Sequence, residues 1–129
     1  MIAPLFFDYY KEITKEAELL GFQVDYICDA PSNSNISKAI GRINKNLLRI
    51  STQKYFNDTV IPKIKGKRYS AVLLVAGMTF AFNSNMVGMI KKLNPAARFV
   101  MYQWDSEKNL PYSMAIHPYF DKLYSFDLN

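Results

Sequence analysis

The segment Ala71-Val72-Leu73-Leu74-Val75-Ala76 constrains the fold more than any other part of the chain. It is strand-sized and apolar throughout, with no alternation of polar and apolar positions. A strand with one wet face alternates, whereas a strand with no polar face must be covered on both sides. Helices supply that cover in parallel sheets, because every parallel step needs a crossover connection. The segment Phe99-Val100-Met101-Tyr102 has the same character. The two together predict an α/β fold, a Rossmann-like three-layer sandwich with a mostly parallel sheet of four to five strands.

The rest of the chain fits elements around those two strands. Ile2 to Phe6, interrupted by Pro4, reads as the tail of a first strand. Asp8 is placed to N-cap a helix running to Leu20, with Ile13, Ala17 and Leu20 on one buried face and Gly21 at its end. Phe22, Val24, Tyr26 and Cys28 alternate as a second strand should. The polar segment 29–35 is a loop, and Ile36, Ile40, Ile43 and Leu47 then mark a helical stripe. Ser51 or Thr52 is placed to cap a further helix carrying Tyr55, Phe56, Val60 and Ile64. Pro62 should kink or shorten that helix before Gly66. The strand Tyr69–Ala76 is followed by a helix from Asn83 or Ser84 to Leu93, stopped by Asn94-Pro95. Arg98 to Trp104 is the next strand, Ser113 to Ile116 a short helix, and Leu123 to Phe126 the last strand. The order β-α-β-α-α-β-α-β-α-β calls for right-handed crossovers within one domain of 129 residues.

Composition narrows the function classes. Half of the residues are hydrophobic and 15% are aromatic, too many for a disordered chain. No apolar run approaches the roughly 20 residues of a membrane-spanning helix. The N-terminus lacks a basic region followed by an apolar stretch, and the one cysteine, Cys28, has no internal partner; both point to the cytoplasm. One histidine and one cysteine leave no zinc cage, so no metal is expected. The glycine signatures of dinucleotide oxidoreductases, P-loop enzymes and α/β-hydrolases are missing. The net charge of +5 is concentrated between Lys38 and Arg68, where nine basic residues face one acid. Such a stretch is either a solvated helical face or a surface that attracts anions such as phosphates or anionic lipid.

In open α/β sheets, ligands bind beyond the carboxyl ends of the strands, where strand order reverses. The loops at that edge bring together Phe7, Asp8, Gly77, Met78, Trp104, Ser106, Asn109 and Asp127 as candidate substrate contacts. Asp105 is the candidate catalytic carboxylate, a general base or a ligand for sugar hydroxyls, with Trp104 able to stack on an apolar ring face. The plainer alternatives are that Asp105 and Ser106 cap a turn, that Trp104 fills the core edge, and that Gly77 only turns the chain. His117, ahead of Pro118, fits a helix end better than a catalytic position.

A resemblance runs through several of these segments. Pro4-Leu5-Phe6-Phe7-Asp8-Tyr9-Tyr10-Lys11-Glu12-Ile13, Leu20-Gly21-Phe22-Gln23-Val24-Asp25-Tyr26-Ile27, Tyr102-Gln103-Trp104-Asp105-Ser106 and the stretch Tyr119 to Asp127 resemble the N-terminal part of bacterial exopolysaccharide, capsule and lipopolysaccharide biosynthesis glycosyltransferases. Those proteins are similar to the two-domain GT-B architecture and to the spore-maturation glycosyltransferase-like group. The resemblance implies sugar transfer from a nucleotide-sugar donor to a glycan or lipid-linked acceptor, with no bound cofactor. It further implies that this chain is the acceptor-side half, inactive alone, with the donor held mainly by a C-terminal domain. In that setting the basic helices of Lys38–Arg68 would dock peripherally on the inner face of a membrane, and nucleic acid is not an expected partner. The alternative is a noncatalytic α/β binding or regulatory module.

Overall fold

The computed structural model describes residues 1–5, 8–31, 45–77, 81–105, 108, 110 and 113–126. Five strands, β1 (Ile2–Ala3), β2 (Ile27–Cys28), β3 (Ala71–Ala76), β4 (Arg98–Gln103) and β5 (Lys122–Ser125), form one sheet in the order β2-β1-β3-β4-β5. Every pairing is parallel. The expected fold class is therefore present, a Rossmann-like sheet with helices on both faces. Its 2-1-3-4-5 order is the one seen in flavodoxin-like sheets, which reverse direction between β1 and β3.

The register settles which side chains share a face. Ala71 to Ala76 pair one-for-one with Arg98 to Gln103, and Val100 to Gln103 pair with Lys122 to Ser125. Residues paired in this way point to the same side. Val72, Leu74, Ala76, Phe99 and Met101 belong to one core cluster with Phe56, Val60, Ile64, Met86, Val87, Ile90 and Ile116. That face is covered by α2 (Lys45–Tyr55) with its continuation to Ile64, by α4 (Ser84–Leu93) and by α5 (Ser113–Ile116). On the other face α1 (Tyr9–Leu19) is the helix among the described residues. Right-handed crossovers demand this division, because the chain steps one way from β1 to β2 and the other way from β2 onward.

Several elements differ from the sequence expectation. The helix from Lys45 runs straight through Ser51 and Thr52, so neither caps a new helix, and Thr52 is buried at 3% exposure. Pro62 does not break it either. A π-turn (Phe56–Val60) widens the helix just ahead, with the Ile61 N–H donating to the Phe56 carbonyl, and α3 (Ile61–Ile64) carries Pro62 in its first turn. The widened turn just ahead of it accommodates the ring and the missing donor of Pro62. The stop near Gly66 is as expected, with Gly66 at φ 79°.

Asp8 stands at the N-cap position of α1 in a left-handed conformation, φ 56°, but its carboxylate makes no cap. It accepts from Lys11 Nζ at 2.9 Å instead. The buried face expected at Ile13, Ala17 and Leu20 is only half formed: no residue of α1 is buried, and Leu20 is 78% exposed. Among the described residues no second helix lies beside α1 on this face to cover its flank. The second strand is two residues long rather than seven, and Phe22 is exposed. As an edge element, β2 pairs only with β1, itself two residues long.

Two carboxylates tie the strands' approaches together. Asp25 accepts from Lys67 and Tyr69, both at 2.7 Å, and Asp121 accepts from the Phe99 N–H at 2.7 Å with Lys91 3.5 Å away. The Lys67 hydrogen bond, then that of Tyr69, holds Asp25 below its ordinary 3.8. The Phe99 N–H is the main cause of the same shift at Asp121. Both folded-state values are depressed, so their stabilisation is complete above pH 3.8 and disappears as pH falls through the lowered values. Urea midpoints should fall between pH 6 and pH 3, and Asp121→Asn should flatten that dependence. An unchanged slope in the variant would mean that Asp121 contributes nothing.

Candidate functional site at the carboxyl rim of the sheet

The strand order reverses between β1 and β3, which places the crevice beyond Ala3 and Ala76. Gly77 follows β3, and Trp104 and Asp105 follow β4. Because Ala76 pairs with Gln103 in parallel, Gly77 and Trp104 leave the sheet side by side, and the Trp104 N–H donates to the Ala76 carbonyl at 3.0 Å. Alternation puts both on the α1 face.

There the indole is framed by two neighbours. Tyr9, the first residue of α1, meets it edge-on with ring centroids 5.6 Å apart. At Gly77, a Cβ would lie 3.8 Å from Trp104 Cε3, so the glycine lies directly against the indole. Gly77 has no positive φ, so its backbone conformation does not itself require a glycine. The indole is half-buried.

Asp105 is half-buried beside it, immediately beyond the strand end. Asp8 is on the same rim but largely exposed, its side-chain accessibility being 63%, and it is paired with Lys11. Of the expected contacts, Asp8, Gly77, Trp104 and Asp105 therefore share one rim. Phe7, Met78, Ser106, Asn109 and Asp127 lie outside the described residues.

The rim also contains groups that the sequence did not single out. Asp29, at the end of β2, is only 1% exposed, its Oδ1 lies 4.0 Å from the Cys28 thiol, and its carbonyl accepts from the Ala81 N–H at 3.3 Å. That bond links the loop after β2 to the segment leading into α4. Tyr55 reaches across from α2 and donates to the Cys28 carbonyl at 3.0 Å. Its phenol is pushed up to about 12, first by burial and then by the neighbouring Cys28 and Asp29, so it remains a donor through the neutral range.

The basic stretch is not one patch at this rim. Arg49, Lys54, Lys63, Lys65, Lys67 and Arg68 are all exposed, but they follow the long helix down to the opposite edge of the sheet. Lys63 donates to the Tyr26 carbonyl and Lys67 to Asp25, both ahead of β2. Lys38 and Arg42 lie outside the described residues, as do the side chains of residues 45–48.

A groove of about 790 Å³ also opens away from the rim, between α1 and the amino-terminal parts of β3 and β4. It marks a gap in the helix layer, whereas the polar groups suited to chemistry gather at the carboxyl ends. Among the described residues no cluster of three or more His, Cys, Asp or Glu side chains could hold a metal ion. No described helix is long and apolar enough to cross a membrane. No protein-family model, curated protein or solved structure matches the chain.

Proposed function

We propose that the carboxyl rim binds the glycan of an acceptor, and that the chain is the acceptor-side domain of a glycosyltransferase-like protein of bacterial surface-polysaccharide synthesis. The observation that carries this reading is the indole of Trp104, held by Tyr9 over a glycine at the rim where open parallel sheets take their ligands. A half-exposed indole offers an apolar face for the C–H side of a sugar ring, and a carboxylate one residue away suits the hydroxyls. Asp105 is assigned the catalytic role. The nucleotide-sugar donor is assigned mainly to a further domain, and the exposed cations of the long helix to an anionic membrane surface.

Trp104 is the one tryptophan of the chain, so its fluorescence reports on the rim directly. Titration with oligosaccharide fragments of bacterial surface polysaccharides should give a saturable change, with a much weaker response to a nucleotide sugar. Trp104→Ala, followed by NMR, should weaken glycan binding at least tenfold, about 1.4 kcal/mol. Gly77→Ala makes only an ordinary contact and should keep the fold's stability within about 0.5 kcal/mol. Glycan binding unaffected by Trp104→Ala would sink the proposal. Anionic vesicles form a second arm: binding should weaken with salt, and indifference to lipid charge would remove the membrane part.

The second reading, a noncatalytic regulatory module, draws on the 2-1-3-4-5 order, which receiver domains share. Against it, the one described carboxylate following β1 on the rim, Asp8, is largely exposed and paired with Lys11.

A further inference from the structure

Leu73 and Val75 point to the same face of β3, yet Val75 is 1% exposed and Leu73 is only half-buried. Cover on this face therefore fades along a single strand, from the rim toward the amino edge. Among the described residues, Leu73, Val100 and Tyr102 form a strip beyond it that is only half-buried, and it ends at Tyr124, which is 57% exposed. The groove of about 790 Å³ at the amino edge shares Leu73 and Val100 with it and is bounded by Ile13 and Ala17 of α1 and by Asp25. Central strands of a parallel sheet are normally covered on both faces; the opposite face of β3 and β4 is packed, whereas the edge strand β5 is exposed on both, with Leu123 48% exposed.

A short helix laid along β4 would match the length of that strand. A six-residue strand is about 20 Å long, and about 13 helical residues span the same distance with a diameter of about 10–12 Å. Its charge then indicates the direction. Arg98 and Lys122 belong to this face by register, at the amino ends of β4 and β5, with Arg68 just ahead of β3. All three are exposed, and among the described residues none forms an ion pair within 4.0 Å; Asp25 is paired with Lys67 and Asp121 with Lys91, and Arg98 is near enough to Asp121 to help lower its pKa. A helix antiparallel to the strands would bring its negative carboxyl end onto these cations. The same cations would repel one another if two copies of the chain met through this strip.

We propose that the strip seats an amphipathic helix of a partner polypeptide, its apolar stripe on Leu73, Val100 and Tyr102 and an acidic last turn against Arg98 and Lys122. Nothing in this inference depends on the glycan reading of the rim.

A synthetic 14-residue helical peptide with leucines at i, i+3, i+4 and i+7 and three glutamates in its last turn is the probe. Its comparator carries lysines in place of the glutamates. By fluorescence anisotropy the acidic peptide should bind saturably and at least tenfold more tightly than the basic one. NMR shifts should gather at Leu73, Val100, Tyr102 and Tyr124. The exposed double substitution Arg98→Glu with Lys122→Glu should reverse the charge preference, with circular dichroism confirming that the fold is kept. Equal affinity for the two peptides, shifts confined to the rim, or sedimentation showing that this face closes by dimerisation would each overturn the proposal.

Discussion

Phe56→Ala is expected to destabilise the chain by about 3–5 kcal/mol, the usual loss for deleting a buried aromatic ring. Phe56 is 1% exposed and opens the π-turn, where its ring meets Phe82 edge-on at 5.4 Å. Phe82 lies just ahead of α4, so the pair joins two helices over Val72 and Leu74. Truncation removes the transfer energy of the ring and leaves a cavity, and the π-turn, already followed by Pro62, has little freedom to close it. Against a total stability of about 5–15 kcal/mol, such a loss would leave a large unfolded fraction. Phe56→Leu keeps most of the volume and should cost less than half as much. Urea unfolding with an unchanged slope is the measurement, and a loss below about 1 kcal/mol would mean that the ring is not packed as described.

The same segment shows what the sequence could and could not convey. Tyr55, Phe56, Val60 and Ile64 were legible as an apolar helical stripe, because burial on one side imposes that spacing. The π-turn was not, since Pro62 states only that a standard turn cannot run through it. Widening the turn and breaking the helix are both local solutions, and packing chooses between them: Phe56, Val60 and Ile64 are all buried, which requires the helix to continue. Ser51 and Thr52 misled for a related reason. Their hydroxyls favour caps in isolation, but tertiary contacts buried Thr52 inside a helix already under way.

At the rim, the legible part was positional. Gly77 and Trp104 follow the two strands whose apolar character fixed the fold, so their proximity is a consequence of parallel register. Asp29 and Tyr55 were not legible, because their importance is in burial and in contacts between elements far apart in sequence. Tyr9 was hidden inside a helix, where its spacing carries no mark of contact with Trp104. Asp8 has the right residue type for a cap, yet its left-handed backbone turns the carboxylate toward Lys11. The half-exposed α1 could not be foreseen from Ile13, Ala17 and Leu20, whose spacing shows an apolar face without showing what covers it.

Leu74→Glu and Leu73→Glu place the same charge on adjacent residues of one strand and should give opposite results. Leu74 is 1% exposed and belongs to the helix-covered core. A carboxylate there would lose its hydration with no cation to replace it, costing several kcal/mol beyond the lost packing, enough to prevent folding. Leu73 faces the open strip, where the new carboxylate can reach water, and the loss should stay near 1–2 kcal/mol. Circular dichroism and urea unfolding distinguish the outcomes. A one-residue slip in β3 would exchange the two faces and hence the two results, so the pair tests the register itself. The folded Leu73→Glu protein would then carry a negative charge in the proposed helix seat. It should lose affinity for the acidic peptide while keeping its glycan response at Trp104, which separates the two surfaces in a single variant.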